Sequence, residues 1–161
     1  MSHDLHISDG LTKEEKYLRL LPQIAAITDG ETDMIACMAN VCSALSLTFG
    51  WLWTGFYRVK GDELILGPFQ GPLACVHIRR GRGVCGTAWA EERTVIVPDV
   101  EKFPGHIACS SLSRSEIVVP VRNAKGETVA VLDIDSSETD TFDETDSLHL
   151  GEIVGLLSDC T

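Results

Sequence analysis

The apolar residues of this chain change their spacing twice, and that pattern narrows the folds open to it. From Thr12 to Gly50 they recur at helical intervals. From Trp51 to Ile134 they fall in short runs rich in aromatic and β-branched residues, broken by turn signals. Helical spacing then returns to the end of the chain. In the first stretch, Thr12 with Glu15 three residues later reads as a helix start, and Leu18, Leu21 and Ile24 give the apolar stripe. Pro22 is expected to kink or shorten this helix, and Asp29-Gly30 to stop it. Thr32 or Glu31 opens a second helix with Met34, Ile35, Met38, Val41, Cys42 and Leu45 on one face, ending near Gly50.

The middle stretch reads as strands. Trp51–Val59 and Glu63–Phe69 flank the turn Lys60-Gly61-Asp62, which makes a hairpin. Ala74–Ile78, Thr94–Val97, Ser115–Val121 and Thr128–Ile134 follow, with a helix from Cys85 to about Glu92 inserted and a second hairpin turn over Asn123–Gly126. Thr141 or Asp143 caps a last helix to about Ser158. Two helices, mainly antiparallel strands with one inserted helix, and a terminal helix make an α+β layer, one twisted sheet with helices packed on it.

The 161 residues suit a single domain, expected over 11–161 after a flexible tail, 1–10. No apolar run nears the ~20 residues that span a membrane. The opening MSHDLHISDG lacks a basic segment followed by an apolar one, so a cytoplasmic protein is expected. A formal net charge of −11 argues against nucleic acid and anionic membrane surfaces, since both bind through Lys and Arg.

Six cysteines without an export signal imply reduced thiols, metal ligands or redox catalysis, rather than a disulfide scaffold. No CxxC pair occurs, which removes standard zinc-knuckle spacing and the thioredoxin-type motif. Cys37 and Cys42 lie on or beside an apolar helix face and read as small core residues. Cys160, next to last, is expected to be exposed. Cys75, Cys85 and Cys109 instead have polar or turn-forming neighbours. A helix start together with Arg80 and Arg82 is expected to favour a Cys85 thiolate, and small residues around Cys109 leave it accessible near His106 and Arg114. Asp133 and Asp135 share one face of an apolar strand, where two carboxylates repel and need partners. Glu116 starts another strand. Three acids in one pocket would suit an ammonium group or a protonated acid catalyst. His77 alternates with apolar neighbours and reads as solvent-facing, and His106 is close in sequence to Cys109. Neither is placed among the catalytic residues.

Six segments, LeuTrpThrGlyPheTyr (52–57), LeuGlyProPheGlnGlyProLeuAlaCys (66–75), GlyArgGlyValCysGlyThrAla (81–88), GlyHisIleAlaCys (105–109), SerGluIleValValProVal (115–121) and ValLeuAspIleAspSer (131–136), closely resemble the free methionine-(R)-sulfoxide reductases. These are single-domain GAF-fold enzymes, and the resemblance runs in order from about Glu31 to Leu157. The turn at 123–127 is slightly longer than in some members. The resemblance implies Cys109 as the catalytic cysteine, Cys75 as the resolving one and Cys85 as the family's third cysteine. It implies Glu116, Asp133 and Asp135 as substrate-binding acids, with Trp53 and Tyr57 as aromatic pocket walls.

The implied reaction turns free methionine-(R)-sulfoxide into methionine through a Cys109 sulfenic acid and a Cys75–Cys109 disulfide, with thioredoxin as reductant and no cofactor. Cys85 is the reserve thiol, and pairing of two copies through helices is a further implication. Two other readings stand beside it: a GAF domain that senses a small ligand without turnover, and a metal site built from Cys75, Cys85, Cys109 and His77 or His106.

Overall fold

Helix α1 (Lys13–Thr28) begins at Thr12, whose hydroxyl accepts from the Glu15 amide, as the sequence indicates. It runs through Pro22 to Thr28, so the expected shortening does not occur. Its buried stripe is Tyr17, Leu20, Ile24 and Thr28, one residue away from the expected Leu18 and Leu21. Tyr17 sets this rotation. Its hydroxyl donates to Asp146 Oδ1 at 2.6 Å in the interior, which leaves Leu18 outward and 57% exposed. The computed structural model describes residues 3–161. Met1 and Ser2 of the expected tail lie outside the described residues. From His3 on the segment lies against α1, where Gln23 exchanges two hydrogen bonds with the His6 backbone.

Helix α2 (Met34–Phe49) is capped by Asp33, which accepts from the Ala36 amide at 2.9 Å, and stops at Gly50 in the left-handed region. Strands β1 (Trp53–Lys60) and β2 (Glu63–Gln70) form the first hairpin. β3 (His77–Arg79) is shorter and later than the expected Ala74–Ile78, because the chain before it leaves the sheet to cross the pocket. Helix α3 (Gly83–Glu91) is the inserted helix, followed by β4 (Val95–Val97) and a single 3₁₀ turn, Val100–Lys102. β5 (Ser115–Arg122) and β6 (Thr128–Ser136) form the second hairpin. Helix α4 (Glu144–Gly155) starts at Asp143 in a reciprocal capping box with Asp146, and irregular turns carry the chain on to Cys160.

The six strands are antiparallel in the order β3-β2-β1-β6-β5-β4. Alternation along the strands gives the sheet two different faces. Phe56, Leu132, Ile134, Ile117, Val119 and Val121 join one core with α1, α2 and α4. On the opposite face Trp53, Tyr57, Val118 and Val131 pack against α3 in a smaller core. At the edge of the first core the buried Asp146 pairs with the half-buried Lys13 Nζ at 2.6 Å, and the Tyr17 hydroxyl supplies a further bond that offsets the desolvation of the carboxylate.

Cys160 is buried, not exposed. The final turn folds back onto α2, where Cys160 pairs with Cys37 as a disulfide with Cα atoms 6.8 Å apart. Cys37 is therefore a bridge residue as well as a core residue. Cys42 keeps the expected role: it is buried and free, and burial pushes its thiol up to about 12. No helix among the described residues is long and apolar enough to cross a membrane.

Candidate active site

The register of the central strands assembles the acids. Glu116 on β5 lies directly opposite Asp135 on β6, and Asp133, two residues before Asp135, points to the same face. Trp53 lies opposite Asp135 on the other side of β6, and Tyr57 follows four residues along β1 on that face. All five, with Cys85 and Cys109, line one cavity between the sheet, α3 and the loop before β5. The cavity measures about 40 Å³, which is room for about three waters.

Cys109, which lines the cavity, is bonded to Cys75, with Cα atoms 5.6 Å apart. Cys75 is held from below: Tyr57 donates its hydroxyl to the Cys75 carbonyl at 2.9 Å, and Trp53 Nε1 donates to the Pro72 carbonyl at 3.1 Å. The two aromatic walls thus also anchor the segment that carries the second thiol. Cys109 sits on the exposed loop that ends at Ser113, and Arg114 ties that loop through the carbonyls of Ser111 and Ser113. The Arg114 side chain is spent on these bonds and not on the thiol.

The floor of the cavity is acidic and buried. Burial, reinforced by Asp135, pushes the Glu116 carboxyl up to about 8. Burial and then Glu116 push Asp133 well up, and burial and then Asp133 do the same for Asp135. Such a cluster favours the protonated form of its carboxyls. Within the cluster the Asp133 carboxyl shares hydrogen bonds with Glu116 and with Cys85. Ser113 Oγ donates to Asp135 Oδ1 at 2.8 Å, and His106 Nε2 lies 3.4 Å from Glu116 Oε2. Asp133 Oδ1 is buried without a hydrogen-bond partner.

Cys85 departs from expectation. It occupies the first turn of α3 but points down into the acids, and burial followed by Asp133 pushes its thiol well up. The helix dipole and the arginines do not compensate: Arg80 lies over the Trp89 ring, 5.2 Å from its centroid. Cys85 is free and outside the bridge.

A GAF-domain family model matches residues 31–160. The chain is 57% identical to a GAF domain-containing protein A of Dictyostelium discoideum, over 98% of this chain and 99% of that one. It is 41% identical to a free methionine-R-sulfoxide reductase of Saccharomyces cerevisiae, over 96% and 90%. A crystal structure of free methionine-R-sulfoxide reductase from Neisseria meningitidis in complex with its substrate superposes with a TM-score of 0.94 at 52% identity, covering 99% of this chain and 95% of that one. The chain belongs to the free methionine-(R)-sulfoxide reductase family of GAF domains.

Within this reductase-family site, two features escaped the sequence reading. His106 faces Glu116, and Gly55 makes room for the Trp53 ring. A Cβ at Gly55 would lie 2.7 Å from Trp53 Cζ3 and closer still to Cη2 and to Phe69 Cβ. The bare backbone lets Trp53 lie near-parallel to Phe69 (centroids 5.2 Å, 17°) and to Tyr57 (5.9 Å, 26°). The TrpThrGlyPheTyr run held the signal for Gly55, and the two-residue spacing from Trp53 places both on one face. His77 is exposed on β3 beside Glu63, at 3.2 Å. That removes the metal set of Cys75, Cys85, Cys109 and His77, since Cys75 and Cys109 are also bonded to each other.

Proposed function

We propose that this protein is a cytoplasmic enzyme that reduces free L-methionine-(R)-S-oxide to L-methionine, with Cys109 as nucleophile, Cys75 as resolving thiol and thioredoxin as reductant. The observation that carries the reading is the bonded Cys75–Cys109 pair, with Cys109 lining a cavity that also holds the three carboxyls Glu116, Asp133 and Asp135. The Cys109 thiolate attacks the sulfoxide sulfur while a neutral carboxyl protonates the departing oxygen. Glu116, held near 8, retains its proton for that step at neutral pH. The protonated oxygen passes from the substrate sulfur to the Cys109 sulfur as the bond between the two sulfurs breaks, so methionine leaves and Cys109 becomes a sulfenic acid. The Cys75 thiol attacks the Cys109 sulfur, water leaves, and the disulfide forms. A dithiol reductant then restores both thiols by exchange. The sum is sulfoxide plus dithiol to thioether, disulfide and water.

The remaining acids, Asp133 and Asp135, face the substrate ammonium, which supplies a cation where no Lys or Arg among the described residues pairs with them. Residues Gly83 to Cys85 start α3 and line the cavity, so their free amides suit the substrate carboxylate. Trp53 packs against the S-methyl group and selects the (R) epimer. A residue inside a polypeptide carries neither terminal charge and is rejected. Cys85, deep among the acids, serves as a reserve thiol only when Cys75 is lost.

The test is thioredoxin-coupled turnover of the free (R) epimer, the free (S) epimer and a peptide sulfoxide. Turnover of the free (R) epimer alone is expected. Equal turnover of the peptide refutes the specificity, and binding of the free sulfoxide without turnover would assign the chain to ligand sensing.

A further inference from the structure

We propose that Cys85, Glu116 and Asp133 form a binding site for one thiophilic divalent cation of the zinc or cobalt class at the cavity floor. Cys85 Sγ and one carboxylate oxygen each of Glu116 and Asp133 all lie within 4.8 Å of one another. The three side chains come from α3, β5 and β6, so rigid elements fix their positions. Each is buried, at 3%, 5% and 6% exposure.

A second observation points to a missing ligand. Asp133 Oδ1 has no hydrogen-bond partner although its residue is more than nine-tenths buried and lines the cavity. A buried polar atom of this kind is costly unless something pairs with it. Among the described residues, no Lys or Arg forms an ion pair with Glu116, Asp133 or Asp135. The cluster therefore concentrates acid without a resident cation.

The donor chemistry selects the metal. A thiolate favours zinc-like ions over magnesium or calcium, which prefer an all-oxygen shell. Zinc–sulfur and zinc–oxygen bonds of about 2.3 and 2.0–2.2 Å place ligand atoms roughly 3.5 Å apart, so the three donors, within 4.8 Å of one another, need to close by up to about 1.3 Å. His106 Nε2, 3.4 Å from Glu116 Oε2, stands ready as a fourth ligand at the rim, with water as the alternative. The cavity has room for an ion and a water.

The metal would occupy the ground proposed above for the substrate ammonium. Competitive inhibition of turnover thus rests on that proposed function, whereas metal binding does not. The two are separated by titrating cobalt(II) into the protein with its disulfides intact, and by assaying the reduced, chelator-treated enzyme independently. In the disulfide form Cys85 and Cys42 are the free thiols. One equivalent of cobalt(II) is expected to give a thiolate-to-metal charge-transfer band that zinc abolishes. Cys85→Ser removes the band, and Cys42→Ser keeps it. Should Cys85→Ser fail to fold, the near-isosteric Glu116→Gln takes its place and is expected to weaken cobalt binding about tenfold or more. Absence of the band, its persistence in Cys85→Ser, or unchanged affinity in Glu116→Gln overturns the proposal.

Discussion

Replacing Glu116 by Gln is expected to stabilise the protein at high pH and to leave it unchanged at low pH. Glu116 is buried in the cavity floor, and its carboxyl is raised from its ordinary 4.5 to about 8 by desolvation and by Asp135. The fold therefore prefers the neutral form. Its contribution to stability is complete below about pH 4.5 and is lost as pH rises through about 8, because ionisation is easier in the unfolded chain. At about 1.4 kcal/mol per pH unit, that interval corresponds to roughly 5 kcal/mol as an upper limit. Local relaxation and water entry reduce it, and about 2–5 kcal/mol is the range expected. Gln copies the shape and hydrogen bonding of the neutral acid at every pH. Urea unfolding of the disulfide form should give coincident wild-type and variant stabilities near pH 4. A difference in favour of Gln should then open between pH 5 and 8 and level off above 8. Parallel curves over pH 5–9 would refute the neutral Glu116, and with it the acid assigned to the sulfoxide oxygen. A constant offset would show that the substitution acts through packing alone.

Three further outcomes follow from the site and the core. Cys109→Ser should abolish even single-turnover methionine formation, while Cys75→Ser keeps one turnover and is recycled by thioredoxin only through the reserve thiol Cys85, so that the double change Cys75→Ser/Cys85→Ser loses recycling altogether, all read by rapid-quench product analysis. Gly55→Ala, which forces a methyl group against Trp53 and Phe69, should cost about 1–3 kcal/mol of stability. It should also raise KM more than it lowers kcat, because it moves the Trp53 wall and not the thiols. Cys160→Ser should lower the stability of oxidised protein by about 2–4 kcal/mol, since the bond to Cys37 closes a loop spanning 123 positions. The difference should largely vanish under reducing conditions, and a thermal melt with and without dithiothreitol reads it directly.

The sequence was most legible where one local rule decided the outcome. Thr12 and Gly50 mark helix ends through their own chemistry, as does Asp143, one of two caps the sequence offered, and the apolar, β-branched runs of β5 and β6 read as strands. It was less legible where a partner distant in sequence decided. The stripe of α1 turned by one residue because Tyr17 reaches Asp146, 129 positions away. Cys160 looked exposed beside the chain end, yet the last turn folds onto Cys37 on α2. Cys85 looked like an activated thiol from its helix start and flanking arginines. Three carboxyls on two other strands reverse that reading, and they become neighbours of Cys85 only once β5 and β6 pair. For the same reason spacing alone left His106 unplaced, because its partner Glu116 lies across the loop.

These cases share a physical cause, visible along β6. Leu132 and Ile134 face the large core, while Asp133 and Asp135 face the cavity. The same alternation that seals one side of the sheet delivers two carboxyls to the other. Shifting β6 by one residue against β5 would bury both aspartates in the apolar core and turn both aliphatics toward the thiols. Neither side could then work: the core would hold unpaired acids, and the cavity would keep Glu116 but lose both aspartates. The packing that makes the fold stable is therefore also what fixes the register of the site. Mutations that loosen the α1, α2 and α4 side are expected to reach the site through β6, although they touch none of its residues.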